Sequence, residues 1–314
     1  MLSGKVSQSG GGVGRNVADA LGKLDVDTFL ISAIGTDDLG GSILKTVPHL
    51  TGNGLLRCDK YPTATCYVIC DASGECKILI GDMEIHDKIS VHYVKKHEEK
   101  ILSSSLVVLD GNLPQDTIFY LLDMCGEAGV PVWFEPTDIV KATKAFSAGR
   151  KHFPQFISPN YNELVEISNV VNPGFSPPSN EIPWLFTCTE QAKLLVENVD
   201  NVLVTLGKLG VVIFRRGEVT DPFFVVQDSG KPKYLKRNSP ISHSIHPQEK
   251  ILEGEVVNAS GAGDCFASGF IAAMLTGADE NECVRLGFQC SLASLRCKKT
   301  VPDKFAQKSI GEKD

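Results

Sequence analysis

The chain has 314 residues, 42% of them hydrophobic and 22% charged, and a formal net charge of −7. This size allows one large α/β domain or two small ones, and the negative charge gives no reason to expect nucleic acid or an anionic membrane as a partner. No apolar run is long enough to span a bilayer, and the first residues lack the pattern of a secretory signal. We therefore expect a soluble, cytoplasmic protein.

The ten cysteines have no Cys-x-x-Cys pair and no spacing typical of a zinc site. In a cytoplasmic chain of this length, such cysteines are expected to be reduced thiols that pack as small hydrophobic groups.

The first predicted element is a helix that follows a glycine cluster at residues 10–14. Residues 28–35 then form an apolar run typical of a buried strand, and Asp37 or Asp38 can cap the next helix. The sequence therefore predicts a strand–turn–helix unit early in the chain. The apolar residues of the first helix are spaced for one face: Val17, Ala20, Leu21 and Leu24.

Residues 63–80 have a different pattern, with β-branched and aromatic residues on both sides of the glycine-containing stretch 71–74. This pattern predicts a β-hairpin.

From residue 106 onward, apolar strands alternate with helical segments, including a helix near 115–128. This alternation predicts a parallel sheet covered on both faces, with polar residues gathered at its carboxyl edge. Residues 222–250, rich in Lys, Ser, Pro and His, are interpreted as a long surface loop. The predicted strands begin at residues 106, 130, 156, 202 and 211.

Residues 258–270 are the most informative stretch, because Gly261, Ala262 and Gly263 come directly before Asp264 and an apolar helical pattern. Small residues at a helix start expose backbone N–H groups, which together with the helix dipole favour an anion. A carboxylate there suggests a general base that takes a proton from a hydroxyl attacking a phosphate. A glycine-rich helix start, with Asp264 as a first-turn dipole partner, explains the same residues equally well.

Taken together, four segments resemble the sugar kinases of the ribokinase (PfkB) family, and the match covers nearly the whole chain. They lie in the family's order, on suitable predicted elements. The segments are Gly11-Gly-Val-Gly-Arg-Asn-Val-Ala18, Asn160-x-x-Glu163, Thr205-Leu-Gly-Lys-Leu-Gly210 and Asn258-Ala-Ser-Gly-Ala-Gly-Asp264.

The resemblance implies a ribokinase-like three-layer α/β/α fold, with a mostly parallel central sheet and a small β lid at about 54–85, in a single kinase domain over 1–314. It implies ATP and Mg²⁺ as cofactors and transfer of the γ-phosphoryl to a hydroxyl of a small sugar or nucleoside. An Asn before a helix and a Glu in its first turn are also typical of helix capping. Asp110 and Asn112, which lie at a strand end, are equally typical of turn capping. The implied roles are Asp264 as general base; Gly261, Ala262 and Gly263 for the phosphates; Thr205, Gly207 and Gly210 for the nucleotide; Gly11, Gly12, Asn16, Asp110 and Asn112 for the substrate; and Asn160 and Glu163 for magnesium.

Softer motifs, Gly81-Asp-Met-Glu-Ile and Phe134-Glu-Pro-Thr, resemble the pseudouridine kinases within this family. They imply pseudouridine as the acceptor and pseudouridine 5′-phosphate as the product. Ribose, adenosine or another nucleoside is the alternative acceptor, and a weakly active form that binds nucleotide without turnover is the alternative function.

Two departures from the family pattern stand out. The family's first strand, which carries a substrate-binding Asp, precedes the Gly-Gly signature, and this chain begins almost at that signature, so the strand is expected to be missing. Asn258-Ala259 replaces the family's usual Asp-Thr, which leaves a requirement for a monovalent cation such as K⁺ open. Pairing of two lids in a homodimer would cover exposed lid strands.

Overall fold

The computed structural model describes residues 4, 6, 8–50, 52–70, 76–147, 149–174, 184–248, 251 and 254–305. Within these residues the strands are β1 (Ser32–Gly35), β2 (Leu55–Cys58), β3 (Thr65–Cys70), β4 (Cys76–Asp82), β5 (Val107–Asp110), β6 (Val132–Glu135), β7 (Phe156–Ile157), β8 (Asn201–Thr205), β9 (Val211–Arg216), β10 (Phe224–Val226), β11 (Pro232–Tyr234) and β12 (Ile241–His246). The α-helices are α1 (Val13–Lys23), α2 (Asp38–Thr46), α3 (Val91–Lys95), α4 (Glu98–Leu102), α5 (Gln115–Ala128), α6 (Tyr161–Val171), α7 (Trp184–Val196), α8 (Ala262–Leu275) and α9 (Glu280–Leu295).

Among the described residues, six strands form the central sheet, in the order β12-β9-β8-β7-β6-β5. The pairings from β5 to β8 are parallel, whereas β9 pairs antiparallel with both β8 and β12. β6 and β8 are buried at nearly every position because helices cover both faces of the sheet. The predicted mostly parallel α/β sheet is confirmed.

Successive side chains of the sheet point into two different hydrophobic clusters. Trp133 packs in a cluster with residues of α1, α8 and α9, whereas the next residue, Phe134, packs with residues of α5, α6 and α7. Phe156 and Ile157 divide in the same way. This alternation with a period of two gives the three layers, helix–sheet–helix, that the resemblance implied.

The carboxyl ends of four neighbouring strands bring polar residues to one edge of the sheet. Asp110 ends β5, Glu135 ends β6, and Thr205 ends β8. Asn160 follows β7 and forms an isolated bridge to Thr205. The candidate site lies at this edge, as predicted for an open α/β sheet.

Two smaller pairs of strands precede the central sheet in the chain. β1 pairs in parallel with β2, and β3 pairs antiparallel with β4 to form the predicted hairpin. The predicted turn at 71–74 lies outside the described residues. The strand predicted over 28–35 is shorter, because only residues 32–35 have a partner in the four-residue β2. Asp37, one of the two predicted caps, accepts the Gly40 N–H at 2.8 Å and caps α2.

The interpretation of residues 222–250 as a surface loop is wrong. This segment contains β10 and β11, which pair with each other, and β12, which extends the central sheet along β9. Phe223 and Phe224 are fully buried in the core, and burial of two aromatic rings outweighs the polar composition around them. The extent of the domain, 1–314, stays a prediction.

Eight cysteines with described side chains are free thiols, five of them buried. Among the described residues, no helix is both long enough and apolar enough to cross a membrane.

Candidate active site

The N-terminus of α8 offers backbone N–H groups at the edge of the sheet. Gly261, its N-cap, has φ 85°, and a Cβ there would lie 2.4 Å from the Thr300 carbonyl oxygen. The Ala262 N–H makes only a long bond, 3.4 Å, to the Ala259 carbonyl. Within the described part of the chain, the N–H groups of Gly263 and Asp264 have no acceptor. Such a helix end suits an anion.

Asp264 lies in the first turn of α8, where burial raises the pKa of its carboxyl to about 6. The Asn16 amide opposes this effect by donating to Asp264 Oδ2 at 2.6 Å, and the charge of Arg15 opposes it as well. The nearby charge of Asp110 acts with burial to raise the pKa. A carboxylate with a pKa near neutrality is well matched to the work of a general base.

The predicted substrate residues of the N-terminal segment lie at the start of α1, which packs on α8. Gly12 is the N-cap of α1 with φ 92°, a conformation that favours glycine. Asn16 is only 4% exposed and contacts Asp264 directly. The Gly11 carbonyl accepts from Arg15 Nε at 3.1 Å. The structure therefore brings the Gly-Gly segment and the candidate base together.

Asp110 joins the end of β5 to the start of α1. Its Oδ2 accepts the Gly14 N–H at 2.8 Å, and its Oδ1 accepts the Asn112 N–H at 2.8 Å. The second bond is the turn-capping role that the sequence left open beside substrate binding. Asp110 thus contacts the N-terminal segment directly, and Asn112 contacts Asp110.

Asn160 and Glu163 form a capping box at the start of α6. Asn160 Oδ1 accepts the Glu163 N–H at 3.0 Å, and Glu163 Oε2 accepts the Asn160 N–H at 2.8 Å. This is the helix-capping alternative of the sequence analysis. Glu163 is 6% exposed, and burial raises its pKa. Their role toward magnesium stays a prediction.

The predicted nucleotide residues lie at the end of β8, which is Thr205, and in the tight loop that joins β8 to β9, which contains Gly207 and Gly210. The Thr205 N–H donates to the Pro159 carbonyl at 2.9 Å, which ties this loop to the segment containing Asn160. Gly207 and Gly210 have φ 56° and 105°, and a Cβ on Gly210 would lie 2.1 Å from the His246 carbonyl oxygen. The loop therefore requires glycine at 210 for its own packing.

Glu135 belongs to this site, although it was not among the predicted site residues. Its Oε1 accepts from Trp133 Nε1 at 2.6 Å and from Ser158 Oγ at 2.5 Å. Burial raises the pKa of Glu135 to about 8, and the charges of Asp264 and Glu163 act in the same direction. The signal was visible in the sequence as a carboxylate that ends an apolar strand.

Comparison with known proteins agrees with this geometry. Residues 1–304 match the pfkB family carbohydrate kinases. The chain belongs to this family. It is 27% identical to the pseudouridine kinase of Arabidopsis thaliana over 97% of this chain and 86% of that protein. It is 26% identical to the pseudouridine kinase of Escherichia coli K12 over 95% of this chain and 83% of that protein.

The fold of this pfkB-family kinase is also that of solved ribokinases. The structure of Arabidopsis thaliana ribokinase complexed with ribose and ATP superposes with a TM-score of 0.68, at 22% identity, and covers 96% of this chain and 88% of that one. The chain is thus a sugar or nucleoside kinase, a phosphotransferase with an alcohol group as acceptor.

Proposed function

We propose that this kinase transfers the γ-phosphoryl of ATP to the 5′-hydroxyl of pseudouridine. The observation that carries the transfer chemistry is the contact of Asn16 with Asp264 at the N-terminus of α8. The substrate is supported by the two pseudouridine kinases, which match at 27% and 26% identity across nearly the whole chain.

In this reaction Asp264 removes the proton of the attacking hydroxyl. Its pKa of about 6 leaves it ionised at neutral pH and still basic enough to accept a proton as the new O–P bond forms. The N–H groups of Gly263 and Asp264, at the N-terminus of α8, would bind the moving phosphoryl and stabilise its developing charge. Asn16, Gly11 and Gly12 border the acceptor sugar.

We infer that this site would hold magnesium through water. No three His, Cys, Asp or Glu side chains in the described ranges lie close enough to hold a metal ion together. Mg²⁺ retains several waters and takes phosphate oxygens as ligands, so Asn160 and Glu163, near Glu135, would hold its hydration shell. When bound, the ion neutralises charge on the transferred phosphoryl group.

We propose that the nucleotide binds at the β8–β9 loop. Thr205 connects this loop to Asn160, so a nucleotide held near Gly207 would have its phosphates directed along the carboxyl edge toward α8. In this proposal the γ-phosphoryl would lie between Asp264 and the two residues assigned to magnesium, Asn160 and Glu163.

A homodimer formed through the lid is the second part of the proposal. On one face of the β3–β4 hairpin, Tyr67, Ile69 and Ile80 are 65%, 50% and 56% exposed, and Tyr67 pairs with Ile80. A two-stranded sheet alone is only marginally stable in water. The hairpin of a second copy would cover this apolar face.

The test is phosphoryl transfer from ATP-Mg to pseudouridine, uridine, adenosine and ribose, with Asp264→Asn as the control. We expect the wild-type protein to phosphorylate pseudouridine and the Asp264→Asn variant to lack this activity. Preferred transfer to ribose or another nucleoside would overturn the substrate and keep the chemistry. Nucleotide binding without transfer to any acceptor would favour the weakly active form.

A further inference from the structure

The amide of Asn16 is held in one orientation by its surroundings. Arg15 Nη2 donates to Asn16 Oδ1, and the Thr300 hydroxyl oxygen lies 3.3 Å from the same atom. Because a guanidinium donor faces the amide oxygen, the amide nitrogen must face the other way, toward Asp264 Oδ2 at 2.6 Å. The donor that contacts the base is therefore set by Arg15.

Arg15 is itself fixed on three sides. Its Nε donates to the Gly11 carbonyl at 3.1 Å, its Nη1 lies 3.3 Å from Asp19 Oδ2, and its Nη2 donates to Thr300 Oγ1 at 3.0 Å. Asp19 is 2% exposed, so this ion pair is shielded from water. A planar guanidinium with several fixed partners has little freedom to turn away from Asn16.

Thr300 links the two halves of the site. Its hydroxyl donates to the Gly10 carbonyl at 2.7 Å and accepts from Arg15. Its carbonyl accepts from Ser294 Oγ at 2.8 Å and packs against Gly261, where a Cβ would lie 2.4 Å away. One residue thus contacts both the Gly-rich segment before α1 and the start of α8.

Asp264 faces mostly acidic neighbours. The titratable and charged groups near it are Arg15 from α1, Asp110 from β5, Glu135 from β6 and the adjacent Cys265, with Asp19 behind Arg15. Arg15 is the cation of this set, and its charge lowers the pKa of Asp264 against the effects of burial and Asp110. Displacement of Arg15 would therefore favour the protonated base.

We propose that Arg15 and Thr300 are positioning residues for the base: together they hold the Asn16 amide on one oxygen of Asp264 and leave its other oxygen for the acceptor hydroxyl. This role rests on the proposed phosphoryl transfer, since it concerns the same base. Thr300 acts by holding Arg15, and Arg15 acts by orienting Asn16.

The experiment compares Thr300→Val, which removes the hydroxyl at constant shape, with Thr300→Ser, which retains it. Arg15→Gln removes the cation and supplies a second variant in case Thr300→Val does not fold. Thr276→Val, which removes a hydroxyl bonded within the C-terminal turn of α8, is the matched control for stability.

The first readout needs no turnover: the titration of Asp264, followed by carboxyl ¹³C NMR with Asp264→Asn to assign the signal. We expect the midpoint to rise by about one pH unit in Arg15→Gln and Thr300→Val, and to stay unchanged in Thr300→Ser and Thr276→Val. An unchanged midpoint in both Arg15→Gln and Thr300→Val would overturn the proposal, whether or not the wild-type protein phosphorylates any acceptor.

The second readout is the pH profile of kcat for the acceptor that the wild-type enzyme uses. A midpoint moved from about 6 to about 7 predicts a loss of about five-fold at pH 6 that disappears by pH 9. A loss of the same size at every pH would mean a purely structural role and contradict the proposal. Absence of transfer by the wild-type protein would instead count against the proposed function, because the NMR titration still tests the role of Arg15 and Thr300.

Discussion

The Asp264 carboxyl is buried away from water and accepts a hydrogen bond from the Asn16 amide, and these two features have opposite effects on its pKa. We expect Asp264→Asn to lower kcat by about 10²–10⁴-fold, the usual contribution of a general base. Because folding raises the pKa of Asp264 to about 6, the folded state binds its proton more tightly than the unfolded chain, and ionisation between about pH 4 and pH 6 costs stability.

The Asp264→Asn variant removes this loss of stability, which is at most about 3 kcal/mol for a carboxyl whose pKa rises from its ordinary value to about 6. Thermal melts should therefore show a larger gain in Tm for Asp264→Asn at pH 8 than at pH 4.5. The exposed Asp228, changed to Asn, is the control. A gain that does not depend on pH would argue against a buried, proton-binding carboxyl.

Glu135 gives a prediction with a different pH window. Burial raises its pKa to about 8, so the side chain is mostly protonated at pH 7 and becomes charged only in alkaline solution. The stability of the wild-type protein should fall as pH rises toward 8, and Glu135→Gln should be spared this loss.

The measurement is the difference in Tm between Glu135→Gln and wild type from pH 5 to pH 9. It should increase up to about pH 8 and then level off. The exposed Glu127→Gln serves as the control, with no such trend expected. A constant difference would contradict the assigned protonation state.

Two glycines at the start of α8 have different roles: Gly261 is required by the fold, and Gly263 is required by the proposed chemistry. Gly261→Ala should prevent folding or sharply lower Tm, since φ is 85° and the Cβ would meet the Thr300 carbonyl. Gly263→Ala should retain or raise Tm, because a Cβ there has no protein atom within 4 Å and alanine favours the helix.

Gly263→Ala should nevertheless lose most phosphoryl transfer, since its methyl group would occupy the space through which the phosphoryl approaches the N–H groups. Melting curves and ATP turnover for the two variants decide this. Full activity of Gly263→Ala would mean that the phosphate lies elsewhere.

The loop before α8 bears on the monovalent cation. Asn258 Oδ1 accepts the Ser260 N–H at 3.0 Å, and its Nδ2 donates to the Lys298 carbonyl at 3.2 Å. The amide already connects the two loops and uses oxygen atoms that a cation would need. We therefore expect equal kcat in KCl, NaCl and choline chloride. Strong activation by K⁺ in the wild-type protein, rather than only in Asn258→Asp, would contradict this.

Long elements with clear periodicity were predictable from the sequence, and short ones were not. The helix at 115–128 was located correctly, since its apolar residues repeat at helical spacing and Gly129 ends it with φ 71°. β10 and β11 have three residues each; β10 is a short Phe-Val-Val run, the polar stretch 227–231 follows it, and β11 begins with Pro232 and Lys233. Only tertiary pairing distinguishes such strands from a loop.

The same contrast holds for the site. Asp264 could be predicted because small residues and an apolar helix pattern surround it. The network of Thr300, Arg15 and Asn16 could not, since Thr300 lies 285 positions from Arg15 and has no local motif. Contacts between residues so distant in the sequence leave no trace in its periodicity.

At the scale of the whole molecule, the lid makes the oligomeric state testable. Ile80→Glu places a charge on the apolar face shared with Tyr67 and Ile69, whereas Val68→Glu places one on the opposite face of the same hairpin. Sedimentation velocity should show a dimer for wild type and Val68→Glu and a monomer for Ile80→Glu. A monomeric wild-type protein at all concentrations would exclude the lid-mediated dimer.

The contacts of Thr300 also set an order of events during synthesis. Gly10 and Thr300 are 290 positions apart, and Asn16 is 248 positions from Asp264, yet all four residues meet at one site. A growing chain on the ribosome cannot complete this site until α8, α9 and the segment after them have emerged from the exit tunnel. A chain that stops short of Thr300 therefore contains the whole Gly-rich segment but lacks the partner that holds Arg15 and Gly10 in the site.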